Sequence, residues 1–285
     1  MKQITPQLAK KLGLAVEKMP AFPKSVQQIL QLTRQLDCQP RQLVQVIEKD
    51  PVMTVKILKV LNSAYYSLPN KISSVNHSVV FLGFNSIKNL ALSIALVGIF
   101  PRHNVVGFDT QHYLQHSLIT AGIAKSLGSK LPDTDSMDCY IAGLLHDFGK
   151  LVFVQYMHNE FNQALLQSRE GDISLHEAES QVIGVDHAIA GALLAEKWQF
   201  PKALVDCIRN HHAEDGDGCG IWASVYAANQ ICNKWFLGDS GDHCVEALPA
   251  SVCQLLGGDI DAIIDSLGDT SKIIAEAHTF SQLGD

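Results

Sequence analysis

The chain has 285 residues, of which 47% are hydrophobic and 18% are charged, as in ordinary globular proteins. This length allows one large or two modest domains, each with a sizeable core. With 22 basic and 29 acidic side chains the net charge is −7, which argues against a broad electrostatic contact with nucleic acid or an anionic membrane and leaves only a local basic patch open.

Hydropathy and cysteine usage predict a cytoplasmic location. The longest apolar run, residues 90–100, is shorter than the roughly 20 residues that span a bilayer. Residues 1–18 have the pattern of an amphipathic helix rather than that of a signal peptide. The seven cysteines form no Cys-x-x-Cys pair, which indicates reduced thiols and argues against a cysteine-based zinc site. We therefore expect neither a membrane partner nor a nucleic-acid partner.

Helical signals dominate the first hundred residues. From Pro23 onward, apolar residues recur at the spacing of one helix face. Asp50 and Pro51 form a helix start, because aspartate caps a helix N-terminus and proline suits its first position. Residues 73–84 are ambiguous, since their β-branched side chains also suit a strand. With no second strand candidate to pair with, we predict a helix there.

A stretch rich in Pro, Gly, Asn and Asp at residues 100–109 separates two predicted lobes. We place an N-terminal helical lobe at residues 1–105 and a second helical domain with closing C-terminal helices at residues 106–285. The segments with helical periodicity in the second domain are residues 111–131, 137–147, 149–167, 186–198, 201–212, 221–236, 259–267 and 270–280. The predicted fold class is all-α, with two lobes.

Some histidines of the second domain fall at distinctive positions. His112 and His116 are four residues apart, so a helix places them on one face. His146 and Asp147 are adjacent, and adjacent residues on a helix point about 100° apart. A metal centre bound by both should therefore lie near a helix end or contain two ions.

Three further histidines extend this pattern. His187 follows Asp186, a predicted helix cap, and so lies near a helix N-terminus, where anions such as phosphate are favoured. His211 and His212 are adjacent at the end of a predicted helix. Neutral imidazole and carboxylate groups suit Fe, Mn, Zn or Ni, and a carboxylate can bridge two ions. We predict a divalent transition metal, iron or manganese before zinc or nickel, in a centre of one or two ions.

The segment "GLLHDFGKLV" at residues 143–152, together with His116, resembles the HD superfamily of metal-dependent phosphohydrolases. The segments "MPAFPKSVQQIL", "VIEKDPVMTVKILKVLNSAYYS", "ISSVNHSVVFLGFNSIKNLAL" and "GVDHAIAGALLAEKWQFP" are similar to the HDOD family, over roughly residues 14–215. This resemblance implies an HD-type helical domain after the first lobe. It also implies a signalling or regulatory module, often with a degraded hydrolase site, related to the HD-GYP enzymes that cleave cyclic di-GMP.

The resemblance implies a set of metal ligands, which are His116, His146, Asp147, His187, His211 and His212. The sequence departs from the HD-GYP pattern where His112, which can still bind a metal, replaces a glutamate, and where Asn229, a much poorer ligand, replaces the closing aspartate. Cys219 and Gly220 stand where the related loop has tyrosine and proline. One metal position, formed by Asp147, His187, His211 and His212, is thus complete, whereas the other lacks its last carboxylate.

Each of these residues also has a plainer interpretation. A His-Asp pair is often a hydrogen-bonded helix end, and a pair of histidines can be a solvated turn before an acidic stretch. For Lys150 the alternatives are to bind phosphate or simply to place a positive charge at a helix end. The remaining histidines are treated as structural: His77, His103, His158, His176, His243 and His278.

Two functions follow from this pattern. In the first, the protein is a metal-binding regulatory module that binds a protein partner or a nucleotide signal. In the second, it is a metal-dependent phosphohydrolase, either a phosphodiesterase or a nucleotide phosphatase, with Asp147 and Lys150 as catalytic residues. A metal-bound water would then attack phosphorus while the ion and Lys150 neutralise the developing charge. The altered ligand set and loop favour the regulatory module.

Overall fold

A computed structural model describes residues 5–33, 39–63, 66, 71–97, 108–216 and 218–282. Within these ranges the chain forms helices and contains no β-strand, so the predicted all-α fold class is confirmed. None of the helices in these ranges is long and apolar enough to cross a membrane.

The chain divides into two compact units. The smaller unit comprises Pro20–Phe100 and Ala275–Asp285, and the larger unit comprises Met1–Met19 and Pro101–Ile274. The expected boundary at residue 105 lies outside the described residues. The first helix, α1 (Pro6–Lys18), belongs to the larger unit.

Five helices build the described core of the smaller unit: α2 (Lys24–Thr33), α3 (Pro40–Glu48), α4 (Pro51–Leu61), α5 (Val75–Leu82) and α6 (Phe84–Val97). Their apolar faces bury side chains such as Ile29, Ile47 and Ile57. Asp50 accepts a hydrogen bond from the Met53 amide at 3.1 Å, so the predicted start of α4 is confirmed. The ambiguous stretch after residue 73 is helical in α5, as predicted.

The helices of the larger unit that follow α1 are α7 (Thr110–Gly128), α8 (Ser136–Leu145), α9 (Gly149–Tyr156), α10 (His158–Gly171), α11 (Leu175–Val182), α12 (His187–Lys197), α13 (Lys202–Asn210), α14 (Gly220–Lys234), α15 (Ala250–Leu256) and α16 (Ile260–Leu267). Helix α17 (Ser271–Ser281) begins in this unit and ends in the smaller one. Helices α7, α8 and α14 pack against one another and are almost entirely buried along their lengths.

Aspartate caps fix the starts of the two helices that matter most for the site. Asp109 accepts hydrogen bonds from the amides of Gln111 and His112 at the start of α7. Asp186 accepts from the Ile189 amide at 2.9 Å, which makes His187 the first residue of α12, as the sequence predicts.

The far end of α12 holds α1 in place. Lys197 Nζ donates hydrogen bonds to the carbonyl oxygens of Val16 and Met19, both at 2.9 Å, and to that of Glu17 at 2.6 Å. These carbonyls lie at the C-terminus of α1, where a cation satisfies oxygens that have no partner within the helix. The helix that begins at His187 is thus anchored at both ends.

Helix α9 starts with a glycine because its backbone touches that of α12. A Cβ atom on Gly149 would collide with the His187 carbonyl oxygen and lie 2.6 Å from the Gly191 nitrogen. Only a residue without a side chain allows the starts of α9 and α12 to approach so closely. This contact brings the segment that contains Asp147 next to His187.

We therefore predict that Gly149→Ala lowers the free energy of unfolding by about 1–3 kcal/mol, the usual cost of forcing extra volume into a packed site. Gly13→Ala is the matched control, because nothing lies within 4 Å of the added Cβ inside α1. That control should be neutral or stabilising, since alanine is the better helix former. Urea unfolding followed by circular dichroism measures both variants, and equal stabilities would contradict the packing argument.

A candidate metal centre

The six candidate ligands come from four separate segments of the larger unit. His116 lies within α7, and His187 is the first residue of α12. The others lie where helices end: His146 and Asp147 between α8 and α9, and His211 and His212 after α13. Helix ends allow neighbouring side chains to point into one space, as the adjacent His-Asp pair requires.

Asp147 lies at the middle of this set. Its Oδ1 atom is 3.0 Å from His187 Nε2 and 3.6 Å from His211 Nε2. Its Oδ2 atom is 3.4 Å from His146 Nε2 and 3.9 Å from His116 Nε2. The side chains of these five residues are at most 2% exposed.

Three of the rings are oriented by hydrogen bonds through Nδ1. His146 Nδ1 donates to the Gly143 carbonyl oxygen at 2.7 Å, and His211 Nδ1 donates to the Ile208 carbonyl oxygen at 2.7 Å. Because a carbonyl oxygen only accepts, these two rings carry their proton on Nδ1 and leave the lone pair of Nε2 free. His187 Nδ1 is 2.6 Å from Glu179 Oε2, an arrangement that fixes the ring and raises its basicity as a ligand.

The free Nε2 atoms face one another. His187 Nε2 is 3.2 Å from His211 Nε2 and 2.9 Å from His212 Nε2. His146 Nε2 and Asp147 Oδ1 are buried without a well-aligned hydrogen bond. Unpartnered buried acceptors are costly, and a cation placed among them would satisfy several at once.

These atoms fit a transition metal. One ligand atom each from Asp147, His187, His211 and His212 lies within 4.8 Å of the others. A second group with the same closeness contains His116, His146 and Asp147. Asp147 is common to both groups, as a bridging carboxylate would be.

Burial keeps most of these imidazoles in the neutral form that binds metals. It lowers the pKa of His116 to about 3 and that of His211 to about 4, and it holds the pKa of His212 well below its usual range. Burial also lowers the pKa of His187, but the Glu179 carboxylate outweighs it and raises that pKa to about 9.

The pKa of Asp147 responds to the same surroundings in the opposite sense. Burial alone would raise it, but the nearby His146 and Lys150 hold it well below its usual range. The centre therefore contains an ionised carboxylate facing imidazole nitrogens.

Asn229 weakens the second group of ligands. Its Oδ1 atom is 3.0 Å from His116 Nε2, so with the amide in this orientation His116 Nε2 carries the proton and donates it. A protonated nitrogen has no lone pair for a metal. The second position is left with His146 Nε2 and Asp147 Oδ2.

Lys150 is buried and its ammonium group is occupied. Its Nζ atom donates to Asp147 Oδ2 at 2.7 Å and to the Ser240 carbonyl oxygen at 3.0 Å. The side chain is 2% exposed. Instead of facing an open cavity, Lys150 joins the acidic ligand to the segment between α14 and α15.

His112 stays apart from the cluster, although it is four residues from His116. Its Nδ1 atom is 3.2 Å from Asp109 Oδ2, and its side chain is 59% exposed. The cap that starts α7 holds this ring at the surface. The expectation that His112 could replace the missing glutamate as a ligand therefore has no support in the geometry.

Sequence reasoning missed Glu179, whose carboxylate accepts hydrogen bonds from the backbone amide and from Nδ1 of His187. The sequence does contain a signal for Glu179. Its spacing from Leu175 and Ala178 places it on the buried face of α11. A carboxylate on an apolar face needs a partner. His176, which was treated as structural, lies 2.9 Å from Glu246 at the edge of the cluster.

Comparison with known proteins agrees with this architecture. Residues 19–214 match the HDOD domain family. A Geobacter sulfurreducens HDOD domain protein with unknown function has a TM-score of 0.77 at 25% identity, over 95% of this chain and 98% of that one.

Two further solved structures share the fold at 22% identity. A Shewanella amazonensis protein named provisionally as a phosphohydrolase has a TM-score of 0.72, over 96% of this chain and 98% of that one. A Marinobacter aquaeolei protein named provisionally as a signal transduction protein has a TM-score of 0.80, over 100% of this chain and 67% of that one.

The curated sequence relatives are longer proteins, since the matched regions cover 40% and 32% of their lengths. The family match, by contrast, covers more than half of the present chain and includes the segments that carry His116, Asp147 and His187. The chain therefore belongs to the HDOD domain family.

Proposed function

We propose that this chain is a metal-binding regulatory module, whose centre holds a divalent transition metal through Asp147, His187, His211 and His212. The observation that carries the proposal is the buried cluster of Nε2 atoms around the Asp147 carboxylate, in which His187 Nε2 lies 3.0 Å from Asp147 Oδ1, 3.2 Å from His211 Nε2 and 2.9 Å from His212 Nε2. Iron and manganese are the first candidates, followed by zinc and nickel, since all four accept imidazole and carboxylate ligands.

A metal in this environment would supply positive charge and could acidify a bound water. Hydrolysis also needs room for a phosphate, and the side chain of Asp147 is only 1% exposed. A cavity of about 170 Å³ reaches the cluster only at His116, and Asp239 and Asp242 contribute to its lining. It is smaller than the roughly 300–1,000 Å³ of typical ligand pockets, and its carboxylates disfavour an anionic substrate.

Lys150 gives a second reason for a regulatory role. Its ammonium group forms an ion pair with Asp147 and also donates to the Ser240 carbonyl, so two of its three N–H donors are already engaged within the protein. A signalling role, with a protein partner or a nucleotide as the signal, agrees with the provisional name of the Marinobacter aquaeolei protein.

The alternative is an active metal-dependent phosphohydrolase. In its favour, Asp147 and Lys150 lie beside a nearly complete ligand set, and the Shewanella amazonensis protein carries that provisional name. This function would require the segment around Ser240 to move away from Lys150 and open the centre.

The first test concerns the metal. Protein purified without a histidine tag should contain close to one equivalent of Fe, Mn, Zn or Ni, and Asp147→Asn should remove it. Glu179→Gln should weaken metal affinity by about 10- to 100-fold, because it removes the carboxylate that makes His187 a basic ligand. His112→Gln is the matched control, since His112 is exposed and lies outside the cluster. Elemental analysis and competition with a chelator measure the outcome, and protein that stays metal-free after anaerobic incubation with Fe or Mn would refute the metal centre.

The second test concerns the closing ligand. Asn229→Asp should add a second equivalent of metal, because a carboxylate at this position, 3.0 Å from His116 Nε2, supplies the negative charge and the ligand oxygen that the amide lacks. The control is Asn210→Asp at the end of α13, an amide outside the ligand set. An unchanged stoichiometry would mean that Asn229 does not limit the second position.

The third test concerns catalysis. We expect no cleavage of cyclic di-GMP above the metal-free control, and at most slow turnover of bis(p-nitrophenyl) phosphate, because the centre is buried and Lys150 is occupied. The assays compare the wild type with Asp147→Asn in the presence of Mn or Fe. Turnover of about 1 s⁻¹ or faster that is abolished in the variant would establish the phosphohydrolase instead.

A further inference from the structure

Three residues at the edge of the buried centre form a second cluster, which we call the outer triad: His176, His212 and Glu246. His176 Nε2 is 2.9 Å from Glu246 Oε1. The rings of His176 and His212 are stacked, with their centroids 4.2 Å apart and an interplanar angle of 20°. One ligand atom from each residue lies within 4.8 Å of the others, which is close enough for a single ion.

Neighbouring helices hold this triad in place. Helix α11 carries His176 one turn before Glu179, so the same helix supports both the outer triad and the buried His187. Glu246 is fixed by α14, because its amide donates to Gln230 Oε1 at 2.7 Å and its Oε2 accepts from the Tyr226 hydroxyl at 3.3 Å. Glu246 is therefore positioned by three hydrogen bonds, two at its carboxylate and one at its backbone amide.

The triad and the centre differ in their access to solvent. The side chains of His176 and Glu246 are 19% and 28% exposed, whereas that of Asp147 is 1% exposed. A hydrated ion can therefore reach the outer triad directly, but it cannot reach the buried centre directly. Any ion that occupies the buried centre must pass through an accessible position or wait for the protein to open.

His212 connects the two positions. Its Nε2 atom lies 2.9 Å from His187 Nε2, inside the centre. Its Nδ1 atom is buried and has no hydrogen-bond partner. The His212 ring thus directs Nε2 toward the buried centre, and its Nδ1 atom remains available to the outer triad.

We propose that His176, Glu246 and His212 form an accessible binding position for a divalent metal, through which the ion reaches the buried centre. This role rests on the proposed metal centre. A neutral imidazole has one lone pair, so His212 serves one ion at a time. When His212 exchanges Nδ1 for Nε2 as the ligand atom, one proton leaves Nε2 and one is taken up at Nδ1, and the ring stays neutral.

The kinetics of metal loading test this role. Metal-free full-length protein, prepared with a chelator, is mixed with Co²⁺, and the visible absorption of the bound ion is followed by stopped flow. Glu246→Gln and His176→Gln should each slow loading at least tenfold while the final occupancy equals that of the wild type. His158→Gln, an exposed histidine at the start of α10, is the matched control and should load at the wild-type rate.

The wild type alone provides a second measurement that does not depend on how a variant folds. Prior binding at the outer triad predicts a loading rate that saturates with Co²⁺ concentration, whereas direct capture by the centre predicts a linear dependence. A linear dependence, or unchanged rates in the folded triad variants, would overturn the loading role and leave the metal centre standing. Wild-type protein that binds no Co²⁺, Fe²⁺ or Mn²⁺ at all would remove both proposals.

Discussion

The structure of the larger unit depends on the burial of the Asp147 carboxylate. A buried charge is tolerated only with close partners, and Asp147 has Lys150 at 2.7 Å together with imidazole nitrogens on its other sides. Supplying these partners requires α8 to end at His146, α9 to begin at Gly149, and α12 to begin at His187 against that glycine. The helix boundaries of this region, which the Asp186 cap and the Gly149 contact fix locally, thus place these partners around one carboxylate.

The same interaction bears on the choice between the proposed regulatory role and the catalytic alternative. Lys150 binds Asp147 and Ser240 at the same time, so the ligand and the segment between α14 and α15 share a cation. A change in the charge at Asp147 alters the strength of the Lys150 interaction, and hence the hold on Ser240. The proposed regulatory role would need two arrangements that differ in free energy, and the ammonium group shared by Asp147 and Ser240 would link them.

Local signals predicted more of this molecule than long-range ones. The starts of α4 and α12 could be predicted because Asp50 and Asp186 act within three residues of their own positions. Ser240 could not, because its partner Lys150 lies 90 residues away and is bound through a backbone carbonyl that carries no sequence signal. For Glu179 the sequence shows a carboxylate on the buried face of α11, but it does not show that the partner is His187. The spacing of His112 and His116 was misleading, because the His112 ring contacts the carboxylate of the Asp109 cap at the surface instead of pointing into the cluster with His116.

The charges in the core bear on how many ions it can hold. With the carboxylates of Asp147 and Glu179 counted as −2, Lys150 as +1 and every imidazole as a neutral ligand, which for His187 requires the metal to displace a proton, the core has a net charge of −1. One divalent ion changes this to +1, whereas two would raise it to +3 in a region that solvent scarcely reaches. An aspartate in place of Asn229 would lower each total by one, since the amide contributes no charge. The neutral amide at position 229 therefore agrees with the proposal of one ion rather than two, in addition to the hydrogen bond that Asn229 accepts from His116.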